Sequence, residues 1–335
     1  MGFSLTQCAD RQQWDRFVAS SPQGNVFCCT PFLDALGEEY DLLLVEEDDR
    51  PRLGAVVLKR NGQPIRAPYP FALYQGILFD GASRDTPRHR RVKWALEVTE
   101  FLLAEMEQRY DLISFCLHYS VEDLRSFQWF HYHEPRRGRF TLDLRYTGLL
   151  DLTAMADFST YFSCIRKVRR HEYRRAQSLG LVVKESHDMD LLDRLHSLTF
   201  TRQGIERSPQ EEHLVRAISN AALAIGFGQL LVAQDPRGEI ASATLFLYDS
   251  CCGYYLFGVN AAECRDTGSG TYLLLENIRR CKELGLARVD FVGINSPNRG
   301  DFKTSFNAVP VPYFIVTWRN PSSIRSLSSE ETHLE

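Results

Sequence analysis

The sequence lacks any long apolar run. No stretch approaches the roughly 18 uninterrupted apolar residues that can span a bilayer. The first 20 residues carry Asp10, Arg11, Asp15 and Arg16, where a signal peptide would need an apolar segment. We therefore expect a cytoplasmic protein that has no membrane partner.

Residue patterns for metal binding and for serine or cysteine nucleophiles are also missing. The nine cysteines include two adjacent pairs, Cys28–Cys29 and Cys251–Cys252, whereas zinc and thioredoxin-like sites use pairs separated by two residues. His and Glu residues do not stand at metal-ligand spacing, and no serine occupies a nucleophile elbow. We expect reduced, mostly buried thiols, no metal site and no tightly bound cofactor.

The length and the charge of the chain limit its architecture and its partners. It has 335 residues, of which 44% are hydrophobic and 24% charged, and single cores stop growing at about 250 to 300 residues. Two domains are therefore expected. The formal net charge of −4 gives no overall attraction to polyanions, so no DNA partner is expected and any contact with RNA needs a local basic patch.

Strands, a loop, a helix and a further strand follow one another in both halves of the chain. The helix near the end of the first half carries Phe101–Leu103, and a helix predicted over 270–284 carries Tyr272–Leu274 at matching positions. Such a match also arises by chance, so duplication and coincidence both remain open. We predict a mixed α/β protein with domains over 1–150 and 151–320 and a disordered, Ser- and Glu-rich tail over 321–335.

A glycine-containing loop precedes the helix predicted over 270–284. Its arginine and two glycines are spaced as Arg, x, x, Gly, x, Gly, which resembles the coenzyme A pyrophosphate loop of GNAT acyltransferases. Backbone amides at a helix start bind anions, and glycines let a pyrophosphate approach them. The alternative is a tight turn in which Asp266 and Thr267 cap the helix. The predicted donor-binding residues are Arg265, Gly268, Ser269 and Gly270.

Residues 290–306, DFVGINSPNRGDFKTSF, join an apolar strand to a polar turn at 295–300. This segment resembles the C-terminal signature of FemABX aminoacyl transferases and related FemAB-like GNAT proteins. The matching positions are Asp290, Phe291, Gly293, Phe302, Lys303 and Phe306. Further positions that resemble the same group are Trp14, Phe17, Asn25, Phe27, Phe32, Arg174, Arg175, Ala176 and Gly180. The resemblance implies two tandem GNAT-like domains, each a largely antiparallel twisted sheet flanked by helices.

The resemblance also implies roles for single residues. The ammonium of Lys303 would stabilise the oxyanion of the tetrahedral intermediate, and the backbone at Phe302 would orient the attacking amine. An activated acyl donor needs such a fixed positive group more than it needs covalent help. The alternative is a surface lysine beside two core phenylalanines. The predicted acceptor contacts are Asn295, Ser296 and Arg299 from the polar turn and Tyr74 from the first half.

A basic segment occupies the predicted helical stretch 158–179. Six cations lie within ten residues and only Glu172 opposes them: Arg166, Lys167, Arg169, Arg170, Arg174 and Arg175. An apolar stripe from Phe162 to Leu179 would dock this helix on the core while most cations face outward. We predict an anionic partner such as a tRNA acceptor stem. A solvated charged surface is the alternative.

These features support two kinds of enzyme. One transfers an aminoacyl group from aminoacyl-tRNA, as a co-substrate, to a small amine of a peptidoglycan or natural-product precursor. The other is an acyl-CoA N-acyltransferase. The basic segment and the Phe302–Lys303 pair favour tRNA, whereas the glycine spacing and the missing coiled-coil arm favour coenzyme A. A non-catalytic binding module on the same fold is the third possibility.

Overall fold

The chain folds into two compact units. The computed structural model describes residues 2–82, 86–188, 190–195 and 208–323, except for the side chain of Arg265. Unit 1 comprises Met1–Arg145 and Pro312–Glu335, and unit 2 comprises Tyr146–Val311. In the described part of the chain, no helix has the length and apolar character needed to cross a membrane.

Unit 1 contains an antiparallel sheet in which β2 pairs with β1 and with β3, and β3 also pairs with β4 and β5. The 20-residue helix α3 packs its apolar face into the same core through Val98, Leu102 and Met106. The elements up to the unit boundary are β1 (Phe3–Gln7), α1 (Arg11–Ser20), α2 (Thr30–Ala35), β2 (Glu39–Glu47), β3 (Arg50–Arg60), β4 (Gln63–Pro64), β5 (Ile77–Phe79), α3 (Arg88–Glu107), β6 (Leu112–Cys116) and α4 (Arg125–Trp129).

Helix α1 shows how local sequence fixes this packing. Asp10 accepts hydrogen bonds from the backbone N–H groups of Gln12 and Gln13 and so caps the helix start. The apolar face of α1 lies on β3 at Gly54, where an added Cβ would lie 2.8 Å from Phe17 and 3.0 Å from Trp14. The glycine therefore gives the two aromatic rings their place in the core.

The last strand of the chain returns to unit 1. Strand β7 (Thr141–Asp151) leads into unit 2, and β13 (Val309–Arg319) leads back. Strand β13 pairs antiparallel with β6, with Val316 opposite Phe115 and Trp318 opposite Ile113. The sequence-based division differs here, because it placed residues up to 320 in the second domain. Apart from 321–323, the predicted disordered tail lies outside the described residues.

Unit 2 contains a mixed sheet in the order β7, β12, β11, β10, β9 and β8. Every neighbouring pair described in it is antiparallel except β11 and β12, which run parallel. Its helices and strands are α5 (Phe158–Cys164), α6 (Lys167–Ser178), β8 (Val182–Glu185), α7 (Pro209–Ile225), β9 (Gly228–Gln234), β10 (Ile240–Tyr248), β11 (Cys252–Asn260), α8 (Ser269–Glu283), β12 (Arg288–Asp290) and α9 (Pro297–Thr304). A second helix predicted over 189–202 lies largely outside the described residues.

Two stretches of unit 2 differ from the sequence-based prediction. The helical stretch over 158–179 is two helices, because Ile165 is extended and the Arg166 N–H donates to Ser305 O at 3.0 Å instead of continuing α5. The polar turn at 295–300 becomes the start of α9, with Pro297 in its first turn. Gly300 permits this helix, because a Cβ there would lie 2.6 Å from Ile294 O.

The nine cysteines are all free thiols. Four of them are buried: Cys28, Cys116, Cys252 and Cys281. Fewer are therefore buried than the sequence predicts, and Cys164 and Cys251 are exposed. Burial raises the pKa of the Cys116 thiol to about 12, so this side chain stays protonated and acts as a small apolar group.

Candidate active site

The two parallel strands of unit 2 separate along their length. Strands β11 and β12 pair only from Cys252 opposite Arg288 to Tyr254 opposite Asp290. Beyond that point β11 continues beside β10, while the chain after β12 follows β7, with the Phe291 N–H donating to Gly148 O at 2.8 Å. A wedge therefore opens at the carboxyl ends of two parallel strands, where α/β sheets present ligand-binding groups. We use "wedge" for the segments 255–259 and 291–294.

The backbone of the wedge is strained at Val292. Val292 has φ 40° and Gly293 has φ 37°, and a β-branched residue is rarely found in this region. The carboxylate of Asp290, which is fully buried, accepts a hydrogen bond from the Val292 N–H at 2.7 Å and one from the Thr147 hydroxyl. These bonds hold the backbone at Val292 and Gly293 so that the carbonyl groups of both residues face α9.

Lys303 from α9 meets this turn. Its Nζ donates to Val292 O at 2.5 Å and to Gly293 O at 3.3 Å, and it lies 5.5 Å from the ring centroid of Tyr255 on β11. Burial lowers the pKa of Lys303 to about 8, against the opposing effect of the Asp290 carboxylate. The ammonium is therefore still mainly protonated at pH 7 and lies at the wedge.

Phe302 packs on the other side of α9. Its ring centroid lies 5.1 Å from that of Phe306, and the guanidinium carbon of Arg169 lies 4.5 Å from it. The Arg169 Nε also donates to Ser305 Oγ at 2.8 Å. The side chain of Phe302 thus anchors α9 to α6, and only its backbone is available for the predicted role in orienting an amine.

Four of the six cations of the basic segment are exposed, in agreement with the prediction that most of them face outward. Arg169 is directed inward, and Arg166 makes two hydrogen bonds to the Asp301 carboxylate at 2.7 and 2.8 Å. Arg170 is half-buried, and in the described part of the chain its Nε has no hydrogen-bond partner. The exposed cations that remain on α6 are Lys167, Arg174 and Arg175. Val168 and Leu179, predicted for the apolar stripe, are exposed instead.

The predicted donor loop is covered by α6. Gly268 has φ 79°, and a Cβ there would lie 2.3 Å from the backbone oxygen of Glu172. The Glu172 carboxylate accepts hydrogen bonds from Thr271 in the first turn of α8 and from Arg169. A protein carboxylate therefore already occupies the positive end of this helix. Ser269 is buried and begins α8.

Gly270 has a different neighbour, because a Cβ there would lie 2.5 Å from the side-chain oxygen of Asn260. The side chain of Arg265 lies outside the described part.

Three of the four predicted acceptor residues lie at the start of α9 in unit 2, and the fourth, Tyr74, lies in unit 1. Asn295 accepts a hydrogen bond from the Tyr146 N–H at 2.8 Å and donates to its carbonyl at 3.1 Å, so its amide extends the pairing of β7. Ser296 precedes α9 without capping it through its side chain, and Arg299 is exposed on α9. Tyr74 belongs to unit 1, where its fully buried ring packs against aromatic neighbours. Such a ring has no surface for an acceptor.

Sequence reasoning missed residues at the wedge, beneath its turn and at the donor loop. Tyr255 of the wedge received no role, Glu172 was counted only as a charge that opposes the basic segment, and Thr147 was not considered. Asp290 was part of the quoted signature but received no role. A carboxylate between Val289 and Phe291 in a buried strand is a signal that could have identified a hydrogen-bonded, structure-fixing group.

Comparisons with known proteins agree with this architecture. The family described as "Acetyltransferase (GNAT) domain" matches residues 163–304, a segment that holds α6, the wedge and Lys303. The crystal structure of FemX superposes with a TM-score of 0.73 at 14% identity, over 98% of this chain and 99% of that one. The chain has the tandem GNAT fold. Residues 163–304, which lie within unit 2, are similar to a GNAT acetyltransferase domain, and this similarity supports an acyltransferase of the GNAT type.

Two further structures superpose on nearly the whole chain. A tandem GNAT protein from the clavulanic acid biosynthesis pathway has a TM-score of 0.51 at 13% identity, over 94% of this chain and 98% of that one. The structure of L-PGS from Bacillus licheniformis has a TM-score of 0.52 at 13% identity, over 92% of each chain. The predicted mixed α/β fold with largely antiparallel sheets is thereby confirmed. No curated protein matches the sequence significantly.

Proposed function

We propose that this acyltransferase forms an amide bond by transferring an aminoacyl group from aminoacyl-tRNA to the amine of a small molecule or of a peptidoglycan or natural-product precursor. The observation that carries the proposal is the ammonium of Lys303 at the wedge, 2.5 Å from Val292 O and 5.5 Å from the Tyr255 ring. Lys303 belongs to the Phe302–Lys303 pair, which is part of the signature by which the sequence resembles FemABX transferases.

The proposed chemistry needs a fixed positive group more than a nucleophile from the protein. The neutral acceptor amine attacks the ester carbonyl of the donor, and a C–N bond forms while negative charge develops on the carbonyl oxygen. The Lys303 ammonium stabilises that oxyanion. The C–O ester bond then breaks, and the terminal ribose oxygen of the tRNA leaves and takes up a proton from solvent. The former amine nitrogen loses one proton to solvent, so the protons balance.

The surroundings of the donor loop favour tRNA over coenzyme A. Glu172 already complements the start of α8, and a diphosphate at this helix end would meet its carboxylate. The exposed cations Lys167, Arg174 and Arg175 of α6 are free to contact phosphates of a larger donor. Full-length similarity to FemX supports the same choice.

An acyl-CoA donor is the second candidate. It is favoured by the match of residues 163–304 to a GNAT acetyltransferase domain and by the glycine spacing at 268 and 270. With this donor the leaving group would be a thiol, and the role of Lys303 would be unchanged. An experiment must therefore distinguish aminoacyl-tRNA from acyl-CoA as the donor.

The donor test measures acyl transfer from radiolabelled aminoacyl-tRNA and from acyl-CoA in parallel, with cell-extract amines as acceptors. Transfer from aminoacyl-tRNA should fall steeply with salt, and Lys303→Ala should lower turnover by about 10² or more while donor binding stays nearly unchanged. Transfer from acyl-CoA alone would overturn the tRNA donor. Wild-type turnover in Lys303→Ala would remove this residue from the mechanism.

A matched control is available on β8 of the same unit. Lys184→Ala removes an exposed ammonium that donates to Gln234 Oε1 at 2.7 Å. It should leave turnover within a few-fold of wild type. An equal loss in both variants would mean that unit 2 needs its total charge and that Lys303 has no particular role.

A further inference from the structure

Unit 1 carries an exposed stack of side chains between α4 and β7. The rings of Trp129 and Tyr132 lie parallel, with centroids 4.2 Å apart and an angle of 5° between their planes. The guanidinium carbon of Arg139 lies 4.8 Å from the Tyr132 ring centroid. Trp129 is 56% exposed and Tyr132 is 44% exposed. We call Trp129, Tyr132 and Arg139 the aromatic platform.

The backbone beneath the platform is held in place by buried groups of unit 1. The indole N–H of Trp318 donates to Arg137 O at 3.0 Å. His131 lies with Nδ1 3.1 Å from Gly138 O and Nε2 3.2 Å from the Glu107 carboxylate. The exposed rings therefore project from a fixed turn. A ligand that stacks on the rings does not have to bear the entropic cost of ordering this turn.

The chain segment that carries the platform also carries positive charge that the protein does not neutralise. Arg136 and Arg139 are both exposed, and within the described ranges neither has a carboxylate within 4.0 Å. Arg137, by contrast, pairs with Glu107 at 2.8 Å. The chain as a whole has a net charge of −4, so this excess of positive charge is local, as it is on α6. Aromatic faces beside free cations bind the bases and phosphates of single-stranded nucleic acids.

We propose that the aromatic platform binds an unpaired segment of RNA, with one base stacked on the free face of Trp129 and a phosphate beside Arg136. The inference rests on the proposed tRNA donor, because it supplies the unpaired nucleotides. Exposed tryptophan and tyrosine also suit a lipid surface. Here, however, the two rings are stacked on each other, which offers a planar face to a base and little apolar surface to a bilayer.

The test measures binding of the full-length protein to a fluorescein-labelled, eight-nucleotide single-stranded RNA and to a blunt RNA duplex of the same composition. Fluorescence anisotropy should show Trp129→Ala binding the single strand about tenfold or more weakly, because one stacked base is lost. Binding of the duplex should not change. Trp129→Phe should retain part of the affinity, and Arg136→Gln should reduce the logarithmic salt slope by about 0.7.

Two controls accompany this experiment. Ile225→Ala removes an exposed apolar side chain from unit 2 and should bind the single strand as wild type does. Intrinsic fluorescence gives a second readout that does not need the alanine variant. Of the other three tryptophans, Trp14 and Trp318 are buried, and Trp94 is half-buried with the Arg52 guanidinium over its ring. RNA should quench the emission of the wild type, and that quenching should be lost in Trp129→Phe.

Three results would overturn the platform: unchanged single-strand affinity in Trp129→Ala, Trp129-dependent binding to phosphatidylglycerol vesicles without RNA binding, or a Trp129-dependent dimer with unchanged RNA affinity. The assay does not require acyl transfer, so the two proposals fail separately. If the enzyme uses only acyl-CoA but RNA binding is lost in Trp129→Ala, the proposed tRNA donor is wrong and the proposed platform stands. If the enzyme uses aminoacyl-tRNA but RNA binding is unchanged in this variant, the proposed platform is wrong and the proposed donor stands.

Discussion

At the scale of single residues, the pKa of Lys303 links its burial to a measurable pH dependence. Burial lowers this pKa to about 8, and only the protonated ammonium can stabilise an oxyanion. The contribution of Lys303 should therefore be complete well below pH 8 and be lost as the pH rises through it. An arginine at this position stays charged over the whole range.

The comparison of wild type with Lys303→Arg tests this prediction. Deprotonation of the acceptor amine affects both proteins equally, so the ratio of their kcat/KM values isolates residue 303. We expect the wild-type to variant ratio to fall about tenfold per pH unit above 8. Thermal melts of both proteins verify the fold, and a ratio that does not change with pH would contradict an acid role for Lys303.

At the scale of secondary structure elements, the two glycines before and within α8 have different neighbours. Gly268→Ala would place a Cβ 2.3 Å from the α6 backbone at φ 79°, which should destabilise the protein by about 1–3 kcal/mol. At Gly270 an added Cβ meets only the end of the Asn260 side chain. Gly270→Ala should change stability by less than ~1 kcal/mol.

Urea unfolding and calorimetric titration with coenzyme A together test this difference. If the glycines serve the packing of α6, only Gly268→Ala lowers the unfolding midpoint and neither variant has a specific effect on coenzyme A. A tight, salt-insensitive complex with coenzyme A that Gly270→Ala weakens would instead support the pyrophosphate loop. The second result would also favour the acyl-CoA donor.

The same elements show what could be predicted from sequence and what could not. Periodicity predicted α8 over 270–284 to within one residue of its observed bounds, because this helix buries a regular apolar face. Helix α9 was missed because Asn, Pro and Gly are typical of turns, whereas Gly300 is needed where α9 passes Ile294 O. The inward direction of Arg169 depends on Ser305, Phe302 and Thr271, which are distant in sequence.

At the scale of the whole molecule, the last strand stabilises the first unit. Trp318 is buried in the core of unit 1 and its indole N–H is bonded to Arg137 O, so Trp318→Ala should cost about 3–5 kcal/mol. Val309→Ala on the same strand removes an exposed side chain and should change stability by about 0.5 kcal/mol or less. Equilibrium urea unfolding followed by near-UV circular dichroism measures both, and equal midpoints would contradict this packing.

The sequence could not predict this arrangement, since the alternation in residues 309–319 identifies a strand but not its partner. The sequence-based division at residues 150 and 151 therefore assigned this strand to the second domain, which directly precedes it in the chain. Pairing of Val316 with Phe115 joins residues 201 positions apart, and no local pattern records such a pairing.

The return of β13 to unit 1 has a consequence for synthesis on the ribosome. Unit 2 is an insertion in the chain of unit 1, because the chain leaves unit 1 at Arg145 and re-enters it at Pro312. The β6 edge acquires its neighbour only after another 167 residues have been made (312 − 145), which takes about 10 to 30 seconds at typical translation rates. Unit 2 is thus complete while the nascent first unit still exposes an open strand, so the part begun first is finished last.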